Sequence, residues 1–254
     1  MAHIIFLGTA SSIPTPTRDN TAFVFSNRKE IFLIDCPGAI GHKLAKAGID
    51  YAKLNKVIIT HEHPDHVYGI VHLIHAQYRL NTQLTIFTNP PTKKLIKKLL
   101  RAMELEKAHY PRIKFIDALS GNYFYSRQGL KIGAVKSAHI TSSFGVKFLF
   151  GKKSLLYSSD TKPLPSLTNE AKKSTYLIHD CTGSSSYFKK YPQLARMHTD
   201  SKTLCDTFRD SKIKKIIPVH FLLLRKGEEQ RIKKELSPLG NKLYFPHDFD
   251  RLNL

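Results

Sequence analysis

Short apolar runs recur along the chain and are separated by longer polar or amphipathic stretches. Runs rich in Val, Ile, Leu and Phe are typical of strands that are buried on both faces. Such runs predict strands at residues 4–7, 22–25, 31–34, 57–60, 84–88, 130–135, 146–150, 154–158, 176–179 and 213–219. Helical patterns lie between the runs in the first half of the chain, which predicts mixed α/β layers. The tail after residue 227 is expected to contain a helix and a strand at 242–245.

One predicted helix, at residues 92–103, is strongly amphipathic. Its apolar residues recur at helical spacing and share one face. Much of the remaining surface of this helix is basic and consists of Lys93, Lys94, Lys97, Lys98 and Arg101. This basic face is either a solvated surface or a contact for an RNA backbone.

Length and composition favour a globular protein. The 254 residues contain no linker of low complexity, and we expect a single domain that spans residues 1–254. No apolar stretch is long enough to span a membrane, and the amino terminus lacks the basic segment of a signal peptide, so we expect a cytoplasmic protein without a membrane partner. The three cysteines, Cys36, Cys181 and Cys205, are widely spaced and are expected to be buried, reduced thiols.

The chain is strongly basic. It has 40 Lys and Arg residues against 20 Asp and Glu residues, for a formal net charge of +20. A Lys-rich composition can reflect growth at high temperature, but Glu then rises together with Lys, and here it does not. The charge therefore favours a nucleic acid or another phosphorylated partner.

The segment 58–66 reads Ile-Ile-Thr-His-Glu-His-Pro-Asp-His and follows an apolar run. His61, His63, Asp65 and His66 lie within six positions, where the predicted strand 57–60 passes into a predicted helix. Imidazoles and carboxylates that are grouped on one loop in this way are typical of a divalent-metal site. His72 and His75 follow on the predicted helix at a spacing that can bind metal, although a packing or surface role is the simpler interpretation.

A site for two metal ions needs further ligands, and these should also lie at strand ends. His139, Asp160 and His220 each follow a predicted strand closely. Their shared placement predicts that they face the same edge of the fold as the 58–66 segment.

With these residues in place, the chain resembles the metallo-β-lactamase superfamily. The five motifs of that superfamily appear in order as Asp35, the 61–66 cluster, His139, Asp160 and His220. The resemblance runs from about residue 3 to 225 and is greatest with the ribonuclease Z-like branch. The segments that support this branch are 6–14, 33–38, 158–163, 179–182, 198–200 and 218–221. The resemblance implies a four-layer αββα sandwich with two metal ions at one edge of its sheets.

The resemblance also implies how the ligands divide. One ion would be held by His61, His63 and His139, the other by Asp65, His66 and His220, with Asp160 between them. Asp35 would accept a hydrogen bond from a ligand imidazole. Zn²⁺ matches the His-rich set, while Mn²⁺ and Fe²⁺ are compatible with the same ligand types.

The implied function is a metal-dependent phosphodiesterase of ribonuclease Z type, in which a hydroxide shared by two metal ions attacks phosphorus. Asp65, Asp180 and His198 are the expected catalytic side chains. Asp180 and His198 occupy the positions where ribonuclease Z-type enzymes carry an acidic residue and a partner His, with Asp here in place of Glu. An imidazole that is oriented by a carboxylate suits a general acid.

One family element is absent from the sequence. The tRNA-processing members carry a long arm between the third and fourth motifs, but here only two strands and a turn fit between His139 and Asp160. Without the arm, a small phosphodiester is as compatible with the catalytic residues as RNA, of which tRNA 3′ ends are one case. Thioester, lactone or sulfate-ester hydrolysis and a non-catalytic nucleic-acid-binding role are the alternatives. Family members are often dimers, which makes a homodimer a further expectation.

Overall fold

The structure is a computed structural model that describes residues 2–254. Two sheets pack face to face, and a layer of helices covers the outer face of each, which confirms the predicted four-layer αββα sandwich. Within residues 2–254, no helix has the length and apolar character that crossing a membrane requires.

The first sheet has seven strands in the order β13-β1-β2-β3-β4-β5-β6. Its strands are β1 His3–Gly8, β2 Ala22–Ser26, β3 Ile31–Ile34, β4 Lys56–Ile58, β5 Gln83–Thr88, β6 Arg112–Asp117 and β13 Arg251–Asn253. Strands β3 to β6 are parallel. Helices α1 Ile40–Lys46, α2 Pro64–Val67, α3 Gly69–Ala76 and α4 Pro90–Ala102 lie between them along the chain.

The second sheet has six strands in the order β12-β11-β10-β9-β8-β7. Its strands are β7 Tyr125–Arg127, β8 Leu130–Lys136, β9 Phe144–Phe150, β10 Lys153–Tyr157, β11 Tyr176–Asp180 and β12 Lys215–Val219. Strands β10, β11 and β12 are parallel, and β9 forms antiparallel pairs with β8 and β10. The helices of this half are α5 Pro165–Lys172, α6 Ser185–Lys190, α7 Ser201–Phe208 and α8 Glu228–Leu236.

Aromatic side chains fill the space between the two sheets. Phe25 of the first sheet stacks on Phe148 of the second, with ring centroids 4.6 Å apart. Phe23 meets Tyr157 edge to face at 5.1 Å. Such contacts supply much of the buried apolar area that holds the sheets together. Separate apolar clusters attach the helices to the outer face of each sheet.

Two expectations from the sequence need correction. The strand expected at 242–245 is absent: a 3₁₀ helix, Ser237–Lys242, occupies its start, and only Leu243 forms a bridge, to Ile216. The strand of this tail is instead β13, which pairs with β1. The run at 57–60 leaves the sheet after Ile58, since Thr60 turns toward a carboxylate.

The connection between His139 and Asp160 is the hairpin of β9 and β10, joined by Gly151 and Lys152. The predicted absence of an arm is therefore confirmed. All three cysteines are buried and free, as expected.

Candidate metal centre

The predicted ligand residues lie on loops at one edge of the sandwich. Because β3, β4, β8, β10, β11 and β12 all end at this edge, the residues that follow them converge there. The structure brings together all seven predicted ligand residues, which are His61, His63, Asp65, His66, His139, Asp160 and His220. His61 to His66 follow the first sheet, whereas His139, Asp160 and His220 follow strands of the second.

Three imidazoles form the first ligand group. The Nδ1 atom of His63 lies 3.2 Å from Nε2 of His61 and 3.0 Å from Nε2 of His139. In a tetrahedral zinc site with Zn–N bonds of about 2.0–2.1 Å, the ligand atoms are roughly 3.3 Å apart. Since the ligand atoms of all three residues also lie within 4.8 Å of one another, the group is compatible with one tetrahedral ion.

The second ligand group consists of Asp65, His66 and His220. The Oδ2 atom of Asp65 lies 3.5 Å from Nε2 of His66 and 3.7 Å from Nε2 of His220. Like the first group, it combines residues that follow both sheets.

Asp160 lies between the two groups. Its Oδ2 atom is 3.4 Å from Nε2 of His66 and 3.1 Å from Nε2 of His220. The same oxygen is 3.8 Å from Nε2 of His61 and 3.7 Å from Nε2 of His139. One carboxylate oxygen thus faces ligands of both groups, which is the position of a bridging ligand.

Several atoms at this centre have no hydrogen-bond partner in the described part of the chain. They are Nε2 of His66, Nε2 of His220 and Oδ1 of Asp160, all buried. Nε2 of His220 lies 3.1 Å from Oδ2 of Asp160 but forms no hydrogen bond with it. Buried polar atoms are rarely left unpaired, and divalent cations would satisfy these. The residues therefore fit a pair of metal ions.

The carboxylates control the pKa values of two ligand imidazoles. Burial opposes a charge on His66, but Asp160 and Asp35 outweigh it and raise the pKa of His66 well above its usual value. Burial likewise opposes a charge on His220, and Asp160, Asp65 and Asp180 together raise its pKa to about 10. The surplus of negative charge that stabilises these imidazolium ions would equally stabilise metal cations.

The first ligand group behaves differently. Burial lowers the pKa of His61, and the nearby charge of His66 lowers it further. Burial also lowers the pKa of His139. Both imidazoles are therefore neutral at pH 7, which is the form that binds a metal ion.

Asp35 anchors two of the ligand imidazoles. Its Oδ2 atom accepts a hydrogen bond of 2.9 Å from Nδ1 of His66. The Thr60 hydroxyl donates to Asp35 Oδ1 at 3.0 Å and lies 3.1 Å from Nδ1 of His61. Because its single proton goes to Asp35, the hydroxyl accepts the Nδ1 proton of His61, which leaves Nε2 free to bind metal. We call Asp35, Thr60, His61 and His66 the first brace.

Asp180 anchors two imidazoles in the same way. Its Oδ2 atom accepts a hydrogen bond of 2.9 Å from Nδ1 of His198. The Thr182 hydroxyl donates to Asp180 Oδ1 at 2.8 Å and lies 3.1 Å from Nδ1 of His220. We call Asp180, Thr182, His198 and His220 the second brace.

His198 lies beside the ligand groups. Its ring packs against the rings of His220 and His139, with centroids 5.1 Å and 4.8 Å away. One of its ring nitrogens lies within 4.8 Å of ligand atoms of His139 and Asp160. Its side chain is 13% exposed, so it can meet a molecule that enters from solvent.

Several contacts of the centre could not be predicted from local sequence patterns. No sequence pattern indicates the roles of the Thr60 and Thr182 hydroxyls, or that of Tyr157, whose hydroxyl donates to Asp35 Oδ2 at 3.2 Å. By contrast, His72 and His75 are exposed on α3, outside the candidate ligand groups, as the simpler interpretation proposed.

Backbone conformation adds a further constraint at this edge. Asp35, Ser159 and His220 all have positive φ angles, of 57°, 54° and 69°. Residues other than glycine adopt such angles at a cost of about 1–3 kcal/mol. Each of these residues lies just past the end of a strand, where this conformation turns the chain toward the centre.

Comparison with known proteins agrees with this description. The model of a family described as "Anti-Pycsar protein Apyc1" matches residues 2–222. The chain is 22% identical to a protein named ribonuclease Z from Mycobacterium marinum, over 100% of this chain and 99% of that protein. It superimposes on the metallo-β-lactamase fold protein YhfI from Bacillus subtilis with a TM-score of 0.83 at 17% identity, covering 99% and 98% of the two chains. The short form of human tRNase Z gives a TM-score of 0.78 at 18% identity, covering 99% and 98%.

These similarities confirm the predicted resemblance to the ribonuclease Z-like branch of the metallo-β-lactamase superfamily. The relative named ribonuclease Z also bears out the prediction of a metal-dependent hydrolase. At this level of identity, the solved structures establish the fold alone.

Proposed function

We propose that this chain, which belongs to the family of the anti-Pycsar protein Apyc1, is a dinuclear metal-dependent phosphodiesterase. One observation carries the proposal: two ligand groups meet at Asp160, and the hydrogen-bonded pair of Asp180 and His198 lies beside them. The ligand groups can bind metal ions. Cations stabilise the negative charge of a phosphate ester, and a proton donor assists departure of its leaving oxygen.

We assign the ligands as the two groups suggest. His61, His63 and His139 would hold one ion, Asp65, His66 and His220 the other, and Asp160 would bridge them. Zn²⁺ is the ion that we propose, with Mn²⁺ and Fe²⁺ as alternatives for the same ligand types. When bound, the two ions would lower the pKa of water and neutralise charge on the phosphoryl oxygens.

The remaining steps fall to side chains of the protein. As a general acid, His198 would act in its imidazolium form, with the N–H at Nδ1 donated to Asp180 and the N–H at the other ring nitrogen donated to the leaving oxygen. Asp180 stabilises the charged imidazole, and its own orientation is fixed by the backbone N–H of Thr161 at 3.0 Å. Asp65 is 12% exposed, more than the side chains of its neighbours His66 and Asp160, and we assign it the second role of orienting the attacking water.

RNA is the substrate class that the charge of the protein favours, and a small phosphodiester is the alternative that the short β9–β10 hairpin favours. The relative named ribonuclease Z supports the first choice. The same metal centre is also compatible with thioester, lactone or sulfate-ester hydrolysis. Those reactions do not require a basic protein, so they would leave the net charge of +20 unexplained. A cytoplasmic location and a homodimer stay predictions.

Hydrolysis of bis-p-nitrophenyl phosphate tests the proposal. Zinc-loaded protein should release p-nitrophenol, chelator should stop the reaction, and added zinc should restore it. Precursor tRNA, short oligonucleotides and cyclic nucleotides, incubated side by side, would then identify the substrate class. Protein that holds two metal ions per chain and hydrolyses none of these compounds would refute the proposal.

A further inference from the structure

Helix α4 connects the metal loop to a distant surface. Its first turn is hydrogen-bonded to that loop, since the Thr92 hydroxyl donates to Oε2 of Glu62 at 3.0 Å. The side-chain amide of Asn89, which caps the helix, donates to the backbone oxygen of Ser142 at 3.0 Å. The amino end of α4 therefore lies beside the metal centre.

The exposed face of α4 is basic from one end to the other. It carries five exposed cations, namely Lys93, Lys94, Lys97, Lys98 and Arg101, which we call the basic stripe. The helix contains no acidic residue, and of these cations only Arg101 has an acidic neighbour, Glu106 at 3.6 Å. At 1.5 Å per residue, the 13 residues of α4 span about 20 Å.

The amino end of the helix does not itself offer an anion site. Pro90 and Pro91 lack N–H groups, and the N–H of Thr92 is donated to the Asn89 side chain. Any anion on this surface must therefore be bound by the side chains of the stripe.

Exposed aromatic rings lie at the far end of the stripe. Helices α3 and α4 both begin at the edge of the metal centre and run back along parallel strands, so their carboxyl ends lie together at the opposite edge. There the ring of Tyr78 lies 4.8 Å from that of His109 and 5.6 Å from that of Tyr110. Tyr78 is 41% exposed, and the guanidinium of Arg79 lies 5.2 Å from its ring. We call Tyr78, Arg79, His109 and Tyr110 the stacking cluster.

We propose that the basic stripe and the stacking cluster bind single-stranded RNA, with the phosphates along α4, bases on the exposed rings and the strand entering the metal centre at the amino end of the helix. A row of cations that leads to aromatic rings is the combination that single strands require, because cations hold the backbone and rings stack on bases. Only one part of this inference rests on the proposed phosphodiesterase function, namely that the RNA strand runs toward the metal centre. It does not need hydrolysis for binding.

Fluorescence anisotropy tests the proposal on the full-length protein. The probe is a labelled, unstructured 12-nucleotide RNA with a phosphorothioate backbone, which resists cleavage, titrated at 50–200 mM KCl. The variant Lys94→Gln/Lys97→Gln/Lys98→Gln should weaken binding about tenfold or more at the lowest salt. It should also reduce the slope of log affinity against log salt by about 2, since each phosphate contact on a single strand contributes about 0.7.

The matched control is Lys172→Gln/Lys212→Gln/Lys214→Gln, which removes the same charge from exposed positions in the other half of the molecule. It should change the affinity by less than about twofold. Equal losses in the two triple variants would overturn the proposal, because they would indicate a diffuse field in place of a binding surface. A wild-type protein that fails to bind the RNA at 50 mM KCl would overturn it as well.

The stacking cluster is tested separately with Tyr78→Ala and His109→Ala. Loss of base stacking should weaken binding about fivefold to a hundredfold without changing the salt slope. Unchanged affinity in both variants would refute the role of the rings. Hydrolysis of bis-p-nitrophenyl phosphate, oligonucleotides and cyclic nucleotides by wild-type protein that holds two metal ions per chain reports on the proposed function alone. RNA binding without hydrolysis of any of these compounds would support this inference and refute that function, and hydrolysis without RNA binding would do the reverse.

Discussion

The two braces share one design and differ in what they hold. In each, an aspartate accepts a hydrogen bond of 2.9 Å directly from one imidazole and reaches a second through a threonine hydroxyl. In the first brace both imidazoles belong to the ligand groups. In the second, the directly bonded imidazole, His198, lies outside both groups and is 13% exposed, against 1% for His66.

Burial explains how one arrangement can serve two purposes. The nitrogen of His66 that faces away from Asp35 has no partner but the metal centre. The corresponding nitrogen of His198 can reach both solvent and a bound molecule. We therefore propose that the first brace fixes metal ligands, and that the second fixes one ligand and one proton donor.

The largest expected effect comes from removing the proton donor. His198→Ala should lower kcat about 10²- to 10⁴-fold for a ribonucleotide substrate with an alcohol leaving group, because general-acid catalysis is lost. The loss should be far smaller with bis-p-nitrophenyl phosphate, since p-nitrophenolate leaves without a proton. Zinc content, measured by elemental analysis, should stay at the wild-type value.

His72→Ala is the matched control, because it removes an exposed imidazole on α3 that lies outside both ligand groups. It should leave kcat and metal content unchanged. Equal losses of His198→Ala on the two kinds of substrate would argue against proton donation and reduce His198 to a structural role.

The next effect distinguishes the two aspartates. Asp35→Asn should weaken zinc binding about 10- to 100-fold, because residues that orient metal ligands have effects of this size. Asp180→Asn should affect zinc binding much less and kcat much more. Competition with a fluorescent chelator measures the affinity, and thermal melting of each variant checks that the fold is retained.

If both aspartate variants lose zinc to the same extent, the two braces are equivalent and the assignment of His198 as proton donor loses its structural basis. If neither variant loses zinc, the two aspartates do not orient metal ligands.

The smallest effect compares the two threonines. Thr60→Val and Thr182→Val keep the shape of the side chain but remove the hydroxyl that connects aspartate to imidazole. Each should weaken zinc binding about fivefold to tenfold, the size expected for a hydrogen bond worth about 1–1.5 kcal/mol. Only Thr182→Val should also lower kcat, since it releases one oxygen of Asp180. Serine at either position should restore zinc binding, and a Ser variant as weak as the Val variant would show that packing, and not the hydroxyl, matters.

The strands that could be predicted are those that are buried on both faces. Strand β3 begins and ends where the apolar run does, because Phe32, Leu33 and Ile34 are all buried. The apolar pattern does not indicate strand β6, because this strand lies at a sheet edge and mixes partly buried with exposed residues. Strand β13 has three residues and exists only because β1 offers a partner, which no local pattern can indicate.

The predictable part of the metal centre consists of polar residues that close apolar strands. His139, Asp160 and His220 could be found because parallel strands bring their ends to one edge. The roles of Thr60 and Thr182 could not, since each depends on a hydroxyl that meets residues 25 or 38 positions away. Nothing in the local sequence marks which threonine near a ligand will have such neighbours.

Each ligand group combines residues that follow strands of both sheets, so bound cations would crosslink the two halves of the sandwich at this edge. Loss of the metal ions would then both inactivate the protein and weaken the contact between the two sheets. In the metal-free protein, local opening would start at this edge, and the amide protons there would exchange with solvent first. In the presence of a chelator, the protein would accordingly lose activity first and unfold afterwards, starting from the metal centre.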